Sequence, residues 1–283
     1  MVTRGKAVSV KDLSFSYGAR RILEDISLDV EEGMIVGILG PNGCGKTTFL
    51  KHLNKSFHVG AEHVAIFGDD IASMSGKDVA RIVGTVPQGN EIKFSFSVKE
   101  IVSMGRMPFQ GPFQMESAED EAIVEKAMED AGIAHMKNRK INTMSGGERQ
   151  RVIIARALAQ TPRVILMDEP TLHLDVSTQF EILDLIERLS HDNGTTVIIV
   201  SHDLPLMARY CDKIAMFHER RLLAYGRTED VLTSENMLTV FNVRADLSYD
   251  EQEGRRTVLL HGSARRAASA SVTDSQHARS PSP

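Results

Sequence analysis

Cysteine is scarce: there are only two, Cys44 and Cys211, far apart and without C-x-x-C spacing. Neither a disulfide framework nor a zinc site is expected, which fits a reducing compartment. Long hydrophobic runs are missing too. The cleanest apolar stretches, such as Val197 to Val200, are strand-sized, far below the roughly 20 residues that span a bilayer, so any membrane role is expected to run through a partner. Positive charge is not in excess: a net charge of −5 and a pI near 6.1 give no general attraction to nucleic acid, and no nucleic-acid partner is expected. Met1 to Lys6 carry charge with no apolar segment behind them, so no secretory signal is expected and the protein is expected to stay inside the cell. No repeat of solenoid period is visible. What remains is ordinary globular composition, 42% hydrophobic and 25% charged over 283 residues, enough for a sizeable core in one large domain or two small ones.

The chain is organised around Gly40-Pro41-Asn42-Gly43-Cys44-Gly45-Lys46-Thr47-Thr48, which follows the apolar run Met34 to Leu39 and precedes a helix expected to run through Asn54. An apolar strand entering a glycine-rich turn that opens a helix lets backbone N–H groups converge on phosphate oxygens. Lys46 adds a point charge and Thr47 can hold Mg²⁺, so a nucleoside triphosphate is the expected ligand.

Upstream, Val8, Val10, Leu13 and Phe15 alternate as a half-buried strand, Ser16 to Ala19 turn the chain, and Ile26 to Val30 alternate again. An antiparallel patch therefore precedes an α/β core. Downstream, a short strand is expected at Val64 to Phe67 and a helix over Gly76 to Val83, and Thr85 to Gln88 end a further extended segment because Pro87 disfavours helix before it. From about 89 to 157 the strand signals vanish and a helical subdomain is inserted. Ser97 and Glu100 match a capping box there, Gly105, Pro108, Gly111 and Pro112 break the helices, and Glu116 to Asp130 forms an acidic amphipathic helix. Strands return at Val164 to Met167, Thr196 to Val200 and Ile214 to Phe217, alternating with helices over Val176 to Ser190 and near Leu204. That alternation predicts a largely parallel sheet covered on both faces. A hairpin turn at His218 to Arg221 and two short helices within Thr228 to Val240 follow, and 249–283 reads as a disordered tail.

Asp168-Glu169 directly follows an apolar strand, so two carboxylates arrive at the carboxyl edge of the sheet, where parallel-sheet ligands bind. Asp168 can orient Mg²⁺ with Thr47, and Glu169 is placed to polarise a water for attack on a γ-phosphate. Ser145-Gly146-Gly147-Glu148 opens a helix whose first amides are left to an anion.

The order of phosphate loop, Gln88, Ser145 to Glu148, strand plus Asp168-Glu169, then Ser201-His202 resembles the ATP-binding cassette (ABC) ATPases over nearly the whole chain to about residue 248. The fold implied is α/β, a P-loop NTPase core of the ABC nucleotide-binding type with an N-terminal antiparallel β patch and an inserted helical subdomain. The resemblance makes Gly40 to Thr48 the Walker A segment, Gln88 the Q-loop residue that senses the γ-phosphate, water or metal, and Met144 to Glu148 the signature. Val164 to Glu169 becomes Walker B, Asp175 the D-loop aspartate and His202 the switch histidine. Tyr17 falls where family members stack an aromatic on adenine. Catalysis is thereby assigned to Glu169, His202, Lys46 and Gln88, and Mg²⁺ to Thr47, Gln88 and Asp168. Two cassettes of the family pair head to tail, so a second copy is the implied partner, its Ser145 to Glu148 completing the ATP site.

Two departures are visible: Met144 replaces the commonest leucine, a volume-conserving change, and Leu172-His173 precedes Leu174-Asp175 in place of Ser-Ala. Ile101 to Pro108, with Val231 to Asn236, resembles the importers of iron(III)-siderophore, haem and cobalamin. That likeness implies ATP hydrolysis on the cytoplasmic face of the membrane, with separate permease subunits and, indirectly, a substrate-binding protein. A soluble ABC ATPase acting in cofactor assembly or another non-transport process is the alternative.

Overall fold

Six strands build the central sheet of the computed structural model, which describes residues 5–89, 95–111, 116–252 and 254–263. Five of the strands run parallel. They are β3 (Ile35–Leu39), β6 (Val83–Val86), β7 (Val164–Asp168), β8 (Thr196–Val200) and β9 (Lys213–His218), laid side by side in the order β9-β3-β8-β7-β6. At the outer edge β10 (Arg221–Arg227) pairs antiparallel with β9 through the tight turn at Glu219 and Arg220, both with positive φ.

The inner strands are apolar through their middles because both their faces are covered. With a side-chain period of two, Ile165 and Met167 of β7 and Val197 and Ile199 of β8 join one core cluster, while Val164, Leu166, Ile198 and Val200 join the other. The first cluster is completed by helices: α5 (Gly146–Leu158), α6 (Val176–His191) and α7 (Leu204–Tyr210). The second takes in α1 (Lys46–Leu53) and a four-stranded antiparallel sheet. That sheet is formed by β1 (Lys6–Tyr17), β2 (Arg20–Glu31), β4 (Val64–Ile66) and the short β5 (Asp69–Asp70), in the order β2-β1-β4-β5.

Helix α2 (Gly76–Ile82) leads straight into β6, and the helical subdomain occupies the crossover from β6 to β7. Its α3 (Val98–Ser103), α4 (Ala118–Asp130) and α5 each begin on a serine capping box, at Ser97, Ser117 and Ser145, so each helix start satisfies two otherwise orphaned groups locally. Between α3 and α4 the chain passes under α5 at Gly105, where a Cβ would lie 2.2 Å from the Arg156 carbonyl oxygen. The break expected at Pro112 lies outside the described residues. No helix among the described residues is long and apolar enough to cross a membrane.

The C-terminal boundary needs correcting. After α8 (Thr228–Val231) and α9 (Ser234–Phe241), β11 (Val243–Asp250) and β12 (Arg255–Ser263) pair as an antiparallel hairpin, so a tail starting at 249 would cut through an ordered element. Ala245 and Val258 are buried in the helical-side core, and Arg255 grips Glu187 of α6 with two 2.8 Å bonds. The rest of the expected tail, 264–283, lies outside the described residues.

Candidate functional site

The parallel order brings the candidate residues together. Strands β3, β8, β7 and β6 are neighbours, about 4.8 Å apart, and their carboxyl ends release in turn the phosphate loop, His202, Asp168-Glu169 and Gln88. A cavity of about 500 Å³ joins these ends; Asn42, Gly43, Gly45, Lys46, Thr47, Thr48, Gln88, Asp168 and Glu169 line it, with Tyr17, Arg20, Ile22 and Val200.

At the loop itself, Gly45 holds φ 107° just before α1, and a Cβ there would meet Leu23 Cδ2 at 2.6 Å and the Ile22 carbonyl oxygen at 2.9 Å. Only glycine satisfies both the angle and the space. Lys46 Nζ donates to the carbonyls of Gly40 (2.7 Å) and Pro41 (3.1 Å), which bends the ammonium over its own loop. Gly40, Pro41 and Cys44 shape the loop without lining the cavity. Burial pushes the Cys44 thiol up from its ordinary value, against the opposing pull of Lys46.

Asp168 is the last residue of β7, and its buried Oδ1 has no hydrogen-bond partner. An orphaned buried carboxylate oxygen is costly and marks a position that a cation or water can fill. Glu169 then turns the chain at φ 51°, a strained angle for a side-chain-bearing residue, while its N–H donates to Val200 O (2.9 Å). His202 Nδ1 donates to Glu169 Oε2 at 2.9 Å, which fixes both the carboxylate and the ring.

Tyr17 stands at the opposite end of the cavity, exposed. Its ring packs edge-on to Phe15 (4.9 Å, 86°) and to Phe57 (5.7 Å, 83°), and this aromatic bracket holds it upright. His52, buried behind Phe15 at 4.6 Å, has its pKa lowered by burial, and its Nδ1 lies 2.7 Å from Thr48 O.

Other expected residues stand apart. Ser145 to Glu148 do not line the phosphate-loop cavity; Gly146 alone reaches an adjacent one of about 460 Å³, shared with Gln88, Glu169 and His173. Ser145 Oγ accepts from the Glu148 N–H (3.2 Å), and Glu148 Oε2 accepts from the Ser145 N–H (2.7 Å). That bond, with Arg139 at 2.8 Å, holds the Glu148 carboxyl below its usual range. The amides of Gly146 and Gly147, in the first turn, have no intrahelical acceptor. Gly147 also lets two helices meet, since a Cβ there would lie 2.5 Å from Thr178 Cγ2. Asp175 caps α6: its carboxylate accepts from Thr178 N (3.0 Å) and Oγ1 (2.7 Å), and the first of these bonds is the main reason its pKa is depressed.

Sequence reasoning missed Arg20 and Ile22 in the cavity. Arg20 had a legible signal: with Tyr17 it closes a two-residue turn, so the two are direct cross-strand partners.

The chain is similar to known proteins in sequence and in overall fold. A family profile described as "ABC transporter" matches residues 23–172. The iron(3+)-hydroxamate import ATP-binding protein FhuC of Bacillus subtilis (strain 168) is 36% identical over 255 residues, covering 90% of this chain and 95% of that one. The cobalamin import ATP-binding protein BtuD of Halobacterium salinarum is 37% identical over 251 residues, 89% of this chain, but the match spans only 63% of the relative. Among solved structures, a chain described as part of a metal-chelate type ABC transporter in an inward-facing conformation superposes with a TM-score of 0.79 at 28% identity, covering 90% of this chain and 98% of the other. A dimeric ATP-binding cassette bound to ADP and phosphate superposes with a TM-score of 0.67 at 28% identity, over 78% and 98%.

Proposed function

The chain belongs to the ABC transporter family, and from that premise we propose that it is the ATP-hydrolysing subunit of an importer. In this reading it sits on the cytoplasmic face of the membrane. Two copies, paired head to tail, engage separate permease subunits and energise uptake of an iron chelate, haem or cobalamin. The observation that carries the enzymatic part is the single cavity joining the phosphate loop to Asp168 and Glu169, with His202 bonded to Glu169. The substrate class rests on the import proteins of similar sequence.

The residues have distinct tasks. Backbone amides of Gly43 to Thr47 and the Lys46 ammonium bind the phosphates, and Tyr17 stacks on adenine. Glu169 orients a water and draws on its proton as the water oxygen bonds to the γ-phosphorus and the β–γ bridge breaks, leaving ADP and phosphate. The His202 bond to Glu169 Oε2 keeps that carboxylate aimed. Mg²⁺ fits the acidic end, because Asp168 Oδ1 lacks a partner there; Asp168, Thr47 and Gln88 would hold it, and it would neutralise charge on the phosphate oxygens.

The second copy has a physical reason. Ser145 to Glu148 lie outside the chain's own nucleotide cavity, yet the Gly146 and Gly147 amides suit an anion and Arg139 offsets the Glu148 charge. ATP held between one copy's phosphate loop and the other's Ser145 closes the pair, and loss of the γ-phosphate reopens it. No observation favours a soluble, non-transport role.

Glu169→Gln tests this reading. Steady ATPase activity is expected to vanish while ATP, and not ADP, drives dimerisation measured by light scattering. Hydrolysis at the parental rate would remove Glu169 from its role; absence of nucleotide binding by the parent protein would remove the whole proposal.

A further inference from the structure

The hairpin that carries Tyr17 also presents a cation to the same cavity. Strands β1 and β2 are joined by Gly18 and Ala19 alone, and Tyr17 and Arg20 are paired in register across that turn. Directly opposed residues of an antiparallel pair project from the same face, and Arg20 and Tyr17 both line the phosphate-loop cavity, with Ile22 two residues further along β2. The neighbouring arginines are committed elsewhere: Arg21 and Arg221 both pair with Glu24, at 3.3 and 2.6 Å. The Arg20 guanidinium is exposed and has no ion-pair or hydrogen-bond partner among the described residues.

We propose that Arg20 is a nucleotide-binding residue that contacts the α-phosphate of the bound nucleotide. The inference rests on the nucleotide reading above and extends it. A guanidinium offers five donors in a planar fork that matches phosphate oxygens. Position selects the phosphate. The base lies against Tyr17, the β- and γ-phosphates lie against Lys46 and the loop amides, and the α-phosphate is the anionic group between the base and the loop. Arg20, cross-strand from Tyr17, is on the base side of Lys46 and so faces that group. A free cation here also balances the site. Asp168 and Glu169 place two carboxylates at the far end, and a triphosphate brings further negative charge, while Lys46 is the other cationic side chain that lines the cavity.

An α-phosphate contact makes a specific demand: it is present in ATP and ADP alike. Equilibrium binding of fluorescent ATP, ADP and GTP analogues to the full chain, with Arg20→Ala and Arg20→Lys, separates the possibilities. The Arg20→Ala variant is expected to bind both nucleotides about 3- to 10-fold more weakly, a loss typical of one exposed charge-assisted contact. Arg20→Lys is expected to recover part of it, and the salt dependence of binding to flatten in Arg20→Ala. Unchanged affinity for both nucleotides overturns the proposal. So does a loss confined to ATP, which would place Arg20 on the γ-phosphate, or a change in preference between ATP and GTP without a common loss, which would place it on the base edge. A parent protein that binds neither nucleotide defeats the underlying nucleotide reading instead, so the two failures are distinguishable.

Discussion

Replacing Asp120 by alanine is expected to destabilise the protein through a single buried guanidinium. Arg106 and Asp120 expose only 7% and 10% of their side chains, and Arg106 Nε donates to Asp120 Oδ1 at 2.8 Å. Arg106 Nη1 donates to the carbonyl of Ala159 at 2.8 Å, and the guanidinium lies 4.0 Å from the Phe109 ring centroid. The other carboxylate oxygen of Asp120 closes the α4 capping box with Ser117. The pair thus ties the turn after α3 to the start of α4 and the end of α5. Deleting one partner of a buried pair costs about 3–5 kcal/mol, and losing the cap about 1 more. Partial access of water to both groups places the total near the lower end, about 3–4 kcal/mol. For a chain of this size each kcal/mol corresponds to about 2–4 °C in Tm, so thermal and urea unfolding both resolve the effect. Removing both charges together, Arg106→Met with Asp120→Leu, is expected to recover at least half of the loss, because no unpaired charge is then buried. The pH dependence has a definite sign. The bond from Arg106 holds the Asp120 carboxyl below its ordinary range, so the pair stabilises fully above the unfolded carboxylate pKa of about 3.9, and the benefit fades as pH falls towards the depressed folded value. Parent and Asp120→Ala stabilities should therefore converge in acid. A single variant within 1 kcal/mol of the parent at neutral pH, or a double variant less stable than the single one, would refute the reasoning.

Three further outcomes follow from other sites. Gly45→Ala forces a Cβ against Leu23 and the Ile22 carbonyl at a positive φ; nucleotide affinity is expected to fall at least about tenfold, with about 1–3 kcal/mol of stability lost, and an unchanged Kd would contradict the strain argument. Cys44 and Cys211 are buried and burial raises both thiols, so alkylation at pH 7.5 is expected to run far slower in the native protein than in urea; equal rates would show that the loop opens freely. Arg255→Ala removes the two-bond grip on Glu187; amide exchange is expected to accelerate in β11 and β12 with the central strands unaffected, and uniform exchange across the chain would assign the pair a global role.

The phosphate loop, the acid pair after β7 and the parallel strands were legible because each is local: a fixed spacing, or an apolar run bounded by turns. Arg106 was not. It stands in a stretch that reads as a loop punctuated by Gly105 and Pro108, and only tertiary packing reveals that Gly105 admits the α5 backbone and that Arg106 enters behind it. The C-terminal hairpin had a signal, since Val243, Ala245, Leu247 and Tyr249 alternate with polar residues along β11. Two things masked it. Its fully buried apolar residues are only Ala245 and Val258, beside charge pairs to α6 and α8, and the Ala-, Ser- and Arg-rich composition beyond it lowers the hydrophobicity of the whole segment. A charge pair between residues 187 and 255 has no periodicity to read.

The sheet order also explains why a helical insertion can respond to chemistry that it does not itself perform. Four neighbouring strand ends carry the site, and the spacing between strands sets the distance from the phosphate loop at β3 to Gln88 at β6 at about 14 Å, three strand separations. His202, just past the end of β8, falls between the loop and Glu169 because β8 lies between β3 and β7, which is the reason a histidine remote in sequence can bond to that carboxylate. Gln88 and Glu169 flank the insertion from both sides: the chain leaves the sheet at β6, passes Gln88, builds α3 to α5, and returns through β7 to Glu169. The two residues also line the second cavity with Gly146, at the start of α5. A ligand that drew Gln88 towards the phosphates would therefore pull on the segment that enters the helical subdomain, whose α5 starts at the Ser145 cap. A β6–β7 crossover made as a short loop would keep Lys46, Asp168 and Glu169 in place and would have nothing to move.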